Sequence, residues 1–373
     1  MRSTPRPLGL ALALAYLTLA CAPSAPPAAP PAPSPAVGTP AAATPVPSAP
    51  AATPPATETV HLGTLGSTTD AGLFIAKDKG YFAEQGLTLD DSPFDSAARM
   101  VASLGTGQLD VGAGSHSAGL FNAVARGIPI KLVADKGSAP PGHGFQALMF
   151  RRDLRDSGEL QSVRDLRGRR VAVSAHGVTA EAALTRWLQQ GGLTLDDVDV
   201  VELGFPEHAS ALAGGALDAA INIEPFVTRM EDQGIATAYQ RIDELCPGYM
   251  LAEVIYSGAF ARDQADAARR FMVAYLRGVR DYNDGFVKGD AAQRQEAIAI
   301  LARNTPVKDA ALYDRMRMPG LDPDGRMNLT SLAEDQELWL AQGRQETRVD
   351  LASVVDTSFA EYAVAQLGPY PGH

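Results

Sequence analysis

Five short segments of the sequence carry the side chains best suited to hold a small ligand. Each combines hydroxyl, imidazole, amide or carboxylate groups with small residues, and four of the segments follow predicted strands. In open α/β sheets, ligands bind beyond the carboxyl ends of strands, where the free amides of helix N-termini converge. The candidate ligand-binding residues are Thr68, Thr69, Ser115, His116, His143, His176, Gly177, Thr179, Asn222 and Glu224.

Each of these residues also has a structural interpretation. The segment beginning at Ser67 could simply cap a helix, and each histidine could be a solvated loop residue. Glu224 could only stiffen a turn together with Pro225. Four phenylalanines near the segments are better explained as core residues than as stacking platforms, namely Phe94, Phe145, Phe205 and Phe226.

The charge of the candidate segments narrows the ligand class. None of them carries an Arg or Lys in a matching place. Doubly charged oxyanions usually recruit such a cation, so the sequence disfavours sulfate-like ligands and nitrate. A neutral or singly charged organic solute fits better, for example a heterocycle stacked on Phe or Tyr.

Alternating strand and helix patterns must position these segments. From Val60 onward, short apolar runs alternate with helical patterns, which predicts an α/β protein with mainly parallel sheets. Beyond Tyr249 the pattern changes to long helices. The predicted strands are 60–65, 87–89, 109–113, 130–134, 171–174, 198–203 and 217–223, and the predicted helices are 70–84, 97–104, 118–126, 179–190, 264–286 and 293–302.

One joint between helix and strand occurs twice. The segment Gly107–Gly112 and the segment Gly215–Ala220 share the order glycine, leucine, aspartate and small residues. We interpret Asp110 and Asp218 as structural residues of the turn, with a catalytic acid pair as the alternative. Turns at this end of the strands face away from the usual ligand crevice.

The amino end resembles an export signal. Residues 1–20 combine two arginines with a short apolar run, which is too short to span a bilayer. Cys21 follows in a sequence that resembles a bacterial lipobox, so we expect a signal peptide over 1–20 and lipidation of Cys21. Residues 21–58 are almost wholly Ala, Pro, Ser and Thr, which predicts a disordered linker.

Composition excludes several classes of function. The net charge of −11 argues against a nucleic-acid partner, which would reward clustered Lys and Arg. The two cysteines, Cys21 and Cys246, and the histidine spacing give no metal-site pattern. A nucleophile elbow and phosphate-binding loops are also missing from the sequence, so we expect no enzyme, no metal and no cofactor.

Four motifs in register resemble a known family. They are Gly80 to Leu87, Gly107 to Gly112, Asp165 to Val173, and Gly215 to Asp218 with Glu224-Pro225-Phe226. Their order is similar to that of the nitrate/sulfonate/taurine and thiamine-pyrimidine (NMT1-like) binding proteins. The resemblance covers roughly residues 60–285, and the helical tail agrees with it.

This resemblance implies a type II periplasmic-binding fold whose two lobes close on a ligand. The first lobe would comprise residues 59–150 and 248–373, and the second lobe 151–247. It also implies a monomeric binding protein outside the cytoplasm that delivers a solute to an ABC permease and its ATPase. The alternatives are a ligand-sensing adaptor, or an enzyme related to pyrimidine synthases, although their cysteine-rich motif is missing from this sequence.

Overall fold

The computed structural model describes residues 57–372. The expected signal peptide, Cys21 and nearly all of the expected linker lie outside the described residues. The strands of the described part are β1 (Glu58–Thr64), β2 (Leu87–Pro93), β3 (Val111–Gly114), β4 (Ile130–Ala139), β5 (Gln146–Arg151), β6 (Arg170–Val173), β7 (Asp199–Glu202), β8 (Ala219–Ile223), β9 (Ala236–Arg241) and β10 (Tyr249–Ser257).

Helices flank these strands on both sides. No helix between residues 57 and 372 has the length and apolar character needed to cross a bilayer. The helices are α1 (Ala71–Asp78), α2 (Tyr81–Glu84), α3 (Met100–Thr106), α4 (Ala118–Ala125), α5 (Arg152–Asp156), α6 (Thr179–Gln190), α7 (His208–Ala213), α8 (Phe226–Asp232), α9 (Ile242–Leu245), α10 (Gly258–Asp263), α11 (Ala265–Phe286), α12 (Ala291–Asn304), α13 (Ala310–Tyr313), α14 (Leu329–Ala341), α15 (Leu351–Val354) and α16 (Ser358–Leu367).

Two five-stranded sheets organise the molecule. The first has the order β2-β1-β3-β10-β4, and the second has the order β7-β6-β8-β5-β9. In each sheet one strand is antiparallel to both of its neighbours, β10 in the first and β5 in the second. The remaining four strands of each sheet therefore run in one direction, which confirms the predicted mainly parallel α/β architecture.

The chain passes between the sheets twice. Residues 140–145 lead from β4 to β5, and residues 242–248 lead from β9 to β10. The first lobe is therefore built on 58–139 and 249–372, and the second on 146–241. The first crossing comes a few residues earlier than the sequence pattern indicates, because the apolar run at 146–151 pairs with β8 and β9 of the second sheet.

Several elements differ from the sequence-based expectation. The single helix predicted over 70–84 is broken, because Gly80 takes a left-handed conformation with φ +77° between α1 and α2. Strands β5, β9 and β10 were not predicted, and β10 occupies the beginning of the segment after Tyr249 that was expected to be helical. The predicted helix at 179–190 is confirmed as α6.

The duplicated joint has the same geometry in both lobes. Asp110 accepts a hydrogen bond from the backbone N–H of His61 on β1, with an N···O distance of 2.9 Å. Asp218 accepts one from the backbone N–H of Arg170 on β6 at 3.0 Å. Each aspartate thus ties its turn to the neighbouring parallel strand, which supports the structural interpretation.

Candidate ligand-binding cleft

A small cavity lies where the carboxyl ends of strands from both lobes meet. Its volume is about 30 Å³, which is room for about two water molecules. The lobes are therefore closed on each other in this structure, and a larger solute needs them to separate. The lining residues are Leu65, Thr69, Ala97, Gly114, Ser115, Phe145, Gln146, Ser174, Val178, Thr179, Ala180, Phe205, Ile223, Leu251 and Ala252.

Three of the ten predicted site residues line this cavity. Thr69 and Ser115 come from the first lobe, and Thr179 comes from the second lobe. The hydroxyl of Thr179 donates to the carbonyl oxygen of Leu251 at 3.3 Å, so this side chain also fixes the approach of the two lobes. The sequence thus indicated the two walls of the cleft, although it did not identify most of the lining.

Two polar lining residues were missed, Gln146 and Ser174. Gln146 is the first residue of β5 and is 2% exposed. Its Oε1 atom is buried and has no hydrogen-bond partner among the described residues. The sequence feature that could have identified Gln146 is its position as a polar residue directly before the apolar run 147–150. Ser174 follows β6 directly and was predicted to be the last residue of the strand 171–174.

Helix α6 presents its N-terminus to the cavity. Its cap residue, Val178, has no side chain that can accept from the first amides, and Thr179 and Ala180 of the first turn line the cavity. These amides carry the positive end of the helix dipole and suit a ligand acceptor. Gly177, just before the helix, has a φ of +65°. Its carbonyl oxygen accepts a hydrogen bond from the backbone N–H of Ala118 in the other lobe at 2.8 Å.

Thr68 and Glu224 connect the lobes instead of lining the cavity. The hydroxyl of Thr68 donates to the backbone carbonyl of Glu224 at 3.2 Å. The Glu224 carboxylate is fully buried and accepts from the backbone and the hydroxyl of Thr228, both at 2.9 Å, and from Arg241 at 3.1 Å. Burial raises the pKa of Glu224, and these donors oppose the shift.

Asn222 lies inside the second lobe. Its amide donates to the carbonyl oxygen of Phe205 at 3.2 Å and lies 3.2 Å from Nδ1 of His208. Nε2 of His208 contacts the carbonyl oxygen of Leu203 at 2.7 Å. Asn222 therefore holds the segment that carries Phe205, and it reaches the cavity only through that residue.

The buried His208 makes the protein sensitive to acid. Burial lowers the pKa of His208 from 6.5 to about 4. Because the unfolded chain takes up this proton first, the contribution of neutral His208 to stability should be lost as the pH falls from about 6.5 to about 4. We expect a loss of ~1.4 kcal/mol per pH unit from this group. Urea unfolding of the wild type and of His208→Gln should give a flatter acid slope for the variant, and equal slopes would contradict this role of His208.

His116 is the centre of a buried ion network and does not line the cavity. Its Nδ1 lies 2.8 Å from Glu253 and its Nε2 lies 3.0 Å from Asp335, and all three side chains are fully buried. Burial alone would lower the pKa of His116, but the two carboxylates outweigh burial and raise the pKa to about 10. His116 is therefore a structural imidazolium in this conformation.

The same network joins the two lobes. Arg186 of α6 places its guanidinium 2.6 Å from Asp335 of α14, so a second-lobe cation contacts a first-lobe carboxylate. The Tyr249 hydroxyl donates to the same carboxylate. The Arg186 guanidinium also lies over the Tyr249 ring, 4.9 Å from its centroid. Two cations and two carboxylates thus balance their charges in the closed form.

His143 and His176 lie away from the cavity. Nδ1 of His143 contacts the carbonyl oxygen of Met318 at 3.1 Å, next to the first crossing between the lobes. Nδ1 of His176 lies 2.7 Å from the Glu181 carboxylate, which also pairs with Arg344 at 2.6 Å. The two residues support the hinge region and the closed contact between the lobes, respectively.

A wider groove adjoins the cavity at Leu65. It has a volume of about 650 Å³ and takes residues from both lobes. Phe94, Asp95 and Arg99 lie on its first-lobe wall, and Pro206 lies on its second-lobe wall. Since this groove is open and shares Leu65 with the cavity, it forms the mouth of the cleft.

The cavity lining is mostly apolar, and its few polar side chains are uncharged. Its polar side chains are hydroxyls and one amide, and its other side chains are apolar. Within residues 57–372, no group of three or more His, Cys, Asp or Glu side chains is arranged so that it could hold a metal ion. This chemistry suits a small organic molecule that is held by hydrogen bonds and van der Waals contacts.

Comparison with protein families agrees with this two-lobed architecture. The model of the family described as NMT1/THI5 like matches residues 67–284. That range contains every lining residue of the cavity except Leu65. The chain belongs to the NMT1/THI5-like family.

Relatives of the chain include both an enzyme and a protein named for binding. A 4-amino-5-hydroxymethyl-2-methylpyrimidine phosphate synthase from Aspergillus parasiticus is 29% identical over 227 residues, 57% of this chain and 62% of the relative. The chain therefore spans less than two thirds of that enzyme. A Brucella abortus protein named "Putative binding protein" is 29% identical over 240 residues, 64% of this chain and 68% of the relative.

Solved structures share the fold. The alkanesulfonate-binding protein SsuA of Xanthomonas axonopodis pv. citri, bound to MOPS, has a TM-score of 0.64 and 20% identity, covering 82% of this chain and 99% of its own. The periplasmic nitrate-binding protein NrtA of Synechocystis PCC 6803 has a TM-score of 0.68 and 16% identity, covering 86% and 92%. The fold is that of the type II periplasmic-binding proteins, as the sequence motifs indicated.

Proposed function

We propose that the chain is an extracytoplasmic solute-binding lipoprotein of an ABC importer, which captures a small organic solute and delivers it to a membrane permease. The observation that carries the proposal is the cavity between the lobes. Both lobes contribute hydroxyl groups to it, Ser115 from one and Ser174 from the other, so the site is complete only when the lobes close.

The proposed ligand is uncharged or singly charged. The helix α6 N-terminus and the hydroxyls can satisfy acceptor atoms of a heterocycle such as a pyrimidine, or of a sulfonate-like monoanion. Phe145 and Phe205 supply apolar contact with the body of the solute. A doubly charged anion would need a paired cation, and the lining side chains offer only hydroxyls and an amide.

The cavity supports binding more than catalysis. A serine or threonine nucleophile needs an adjacent base, and the lining consists of apolar, hydroxyl and amide side chains. His116 is held between two carboxylates. Cys246 lies in the second crossing, packs against the core of the second lobe, and does not line the cavity. The pyrimidine synthase relative makes catalysis the alternative, and a ligand-sensing adaptor would need the same cleft.

The proposal includes a membrane anchor and transport partners. Cys21 would carry the lipid, and residues 21–58 would let the monomeric binding unit reach a permease and its ATPase. Detergent partitioning of the wild type and of Cys21→Ala tests the anchor, since only the wild type should enter the detergent phase. If the wild type and Cys21→Ala both stay in the aqueous phase, Cys21 is not lipidated.

The binding function is tested by a solute screen. We expect at least one member of a panel of pyrimidines, lactams, sulfonates, aromatic acids and amines to raise the melting temperature of the purified protein. The same solute should reduce the radius of gyration in solution scattering, because binding favours closure. Product formation from the bound solute would instead support an enzyme, and no response to any member would count against solute binding.

A further inference from the structure

The amide oxygen of Gln146 is the one side-chain atom of the cavity lining that is both buried and without a hydrogen-bond partner among the described residues. The side chain is 2% exposed, and Oε1 finds no hydrogen-bond partner among residues 57–372. Buried polar atoms of native proteins nearly always have a partner, so an unpartnered one in a cavity points to a ligand. Gln146 also sits on a rigid element, because β5 pairs with β8 and β9 on either side.

The surrounding groups do not compete for this amide. Ser115 and Ser174 also line the cavity, and neither hydroxyl bonds to another side chain in the described part of the chain. The nearby ammonium of Lys136 is fully buried and donates to Thr69 at 2.7 Å and to Asp70 at 2.6 Å. The charge of Lys136, which could otherwise bind an anionic ligand, is therefore already neutralised by Asp70.

We propose that Gln146 determines ligand specificity. Its amide would form two hydrogen bonds with a solute that carries a hydrogen-bond donor next to an acceptor on one edge. A glutamine amide offers an acceptor and donors in one plane, so it matches the edge of a carboxamide, lactam or urea with two hydrogen bonds. A sulfonate presents acceptors alone and would leave Oε1 facing another acceptor. The site therefore favours uncharged solutes with such an edge, and this inference rests on the proposed solute-binding function.

Stability separates this role from a structural one. If the Gln146 amide bonds only to the ligand, Gln146→Leu removes an unpaired buried amide from the unliganded protein. The melting temperature of that protein should then stay unchanged or rise by a few degrees. Gln336 is the matched control, since its amide donates to Val349 O at 3.0 Å and accepts from Gln345 Nε2 at 2.7 Å. Gln336→Leu should lower the melting temperature by several degrees.

Ligand discrimination is measured by calorimetry with three probes, 2-pyridone, N-methyl-2-pyridone and methanesulfonate. We expect 2-pyridone to bind the wild type at least tenfold more tightly than the N-methyl compound, which lacks the donor. Gln146→Leu should abolish that preference. Equal affinity of wild type and variant for 2-pyridone, or a Gln146→Leu protein as destabilised as Gln336→Leu, would overturn the proposal.

The same experiment distinguishes this inference from the proposed function. If methanesulfonate or another anion of the solute panel binds and closes the lobes while no lactam, carboxamide or urea does, the assignment of Gln146 is wrong and solute binding stands. If no probe or panel member binds, the solute-binding function fails, and the inference fails with it.

Discussion

Glu253→Gln should lower the free energy of unfolding by about 3–5 kcal/mol. Glu253 accepts from the backbone N–H of His116 at 2.7 Å and contacts the ring Nδ1 at 2.8 Å. A glutamine in this place removes the countercharge and turns an N–H donor toward another donor. Breaking a fully buried pair by removing one partner is costly because the other charge stays buried.

Urea unfolding over a range of pH measures this effect. Because His116 has a pKa of about 10 in the folded protein and 6.5 as its ordinary value, the folded state retains a proton that the unfolded state loses. The stabilising contribution is complete below about pH 6.5 and should decline by ~1.4 kcal/mol per pH unit up to about pH 10. The variant should flatten this slope.

A surface pair supplies the control. Arg262 and Asp263 form an ion pair that is more than half exposed on both sides. Asp263→Asn should leave the free energy of unfolding nearly unchanged. If Glu253→Gln behaves like this control, then His116 does not carry a buried charge.

The fold could be predicted because its signals are local. The apolar runs, the left-handed glycines and the repeated joint at Asp110 and Asp218 each depend on residues that are close in sequence. The reversed strands β5 and β10 gave weaker signals, since their direction depends on which sheet they join. Strand β10 pairs with β3 and β4, more than a hundred residues earlier in the chain.

The site could be predicted only in part, for a related reason. Thr69, Ser115 and Thr179 follow from the rule that ligands bind at the carboxyl ends of strands. His116 satisfies the same rule, yet partners 137 and 219 residues away bury it in an ion network. A single sequence does not reveal contacts at such separations.

The ligand of this chain does not follow from the solved structures that share its fold. The neighbours described as binding alkanesulfonate and nitrate share the fold at 16–20% identity. Likeness at that level shows the fold and does not assign the ligand. Ligand charge therefore has to be argued from Gln146, Ser115 and Ser174 themselves.

Ser174→Phe should weaken solute binding at least a hundredfold, which corresponds to about 2.7 kcal/mol. Ser174 lies in the second-lobe wall of a cavity of only about 30 Å³, and a phenyl ring is far larger than that space. The ring would hold the lobes apart and prevent the 2.8 Å contact between Ala118 N and Gly177 O. Each lobe should still fold, because the ring can occupy the open cleft.

Calorimetry and solution scattering with the solute identified by the screen test this expectation. The variant should keep the radius of gyration of the unliganded protein at solute concentrations that compact the wild type. Ser157→Phe, at an exposed serine of the same lobe, should bind and compact normally. Wild-type affinity and compaction in Ser174→Phe would mean that the ligand site lies elsewhere, whereas a loss of the unliganded fold, seen as a collapsed melting transition in Ser174→Phe alone, would mean that the lobes must stay closed to be stable.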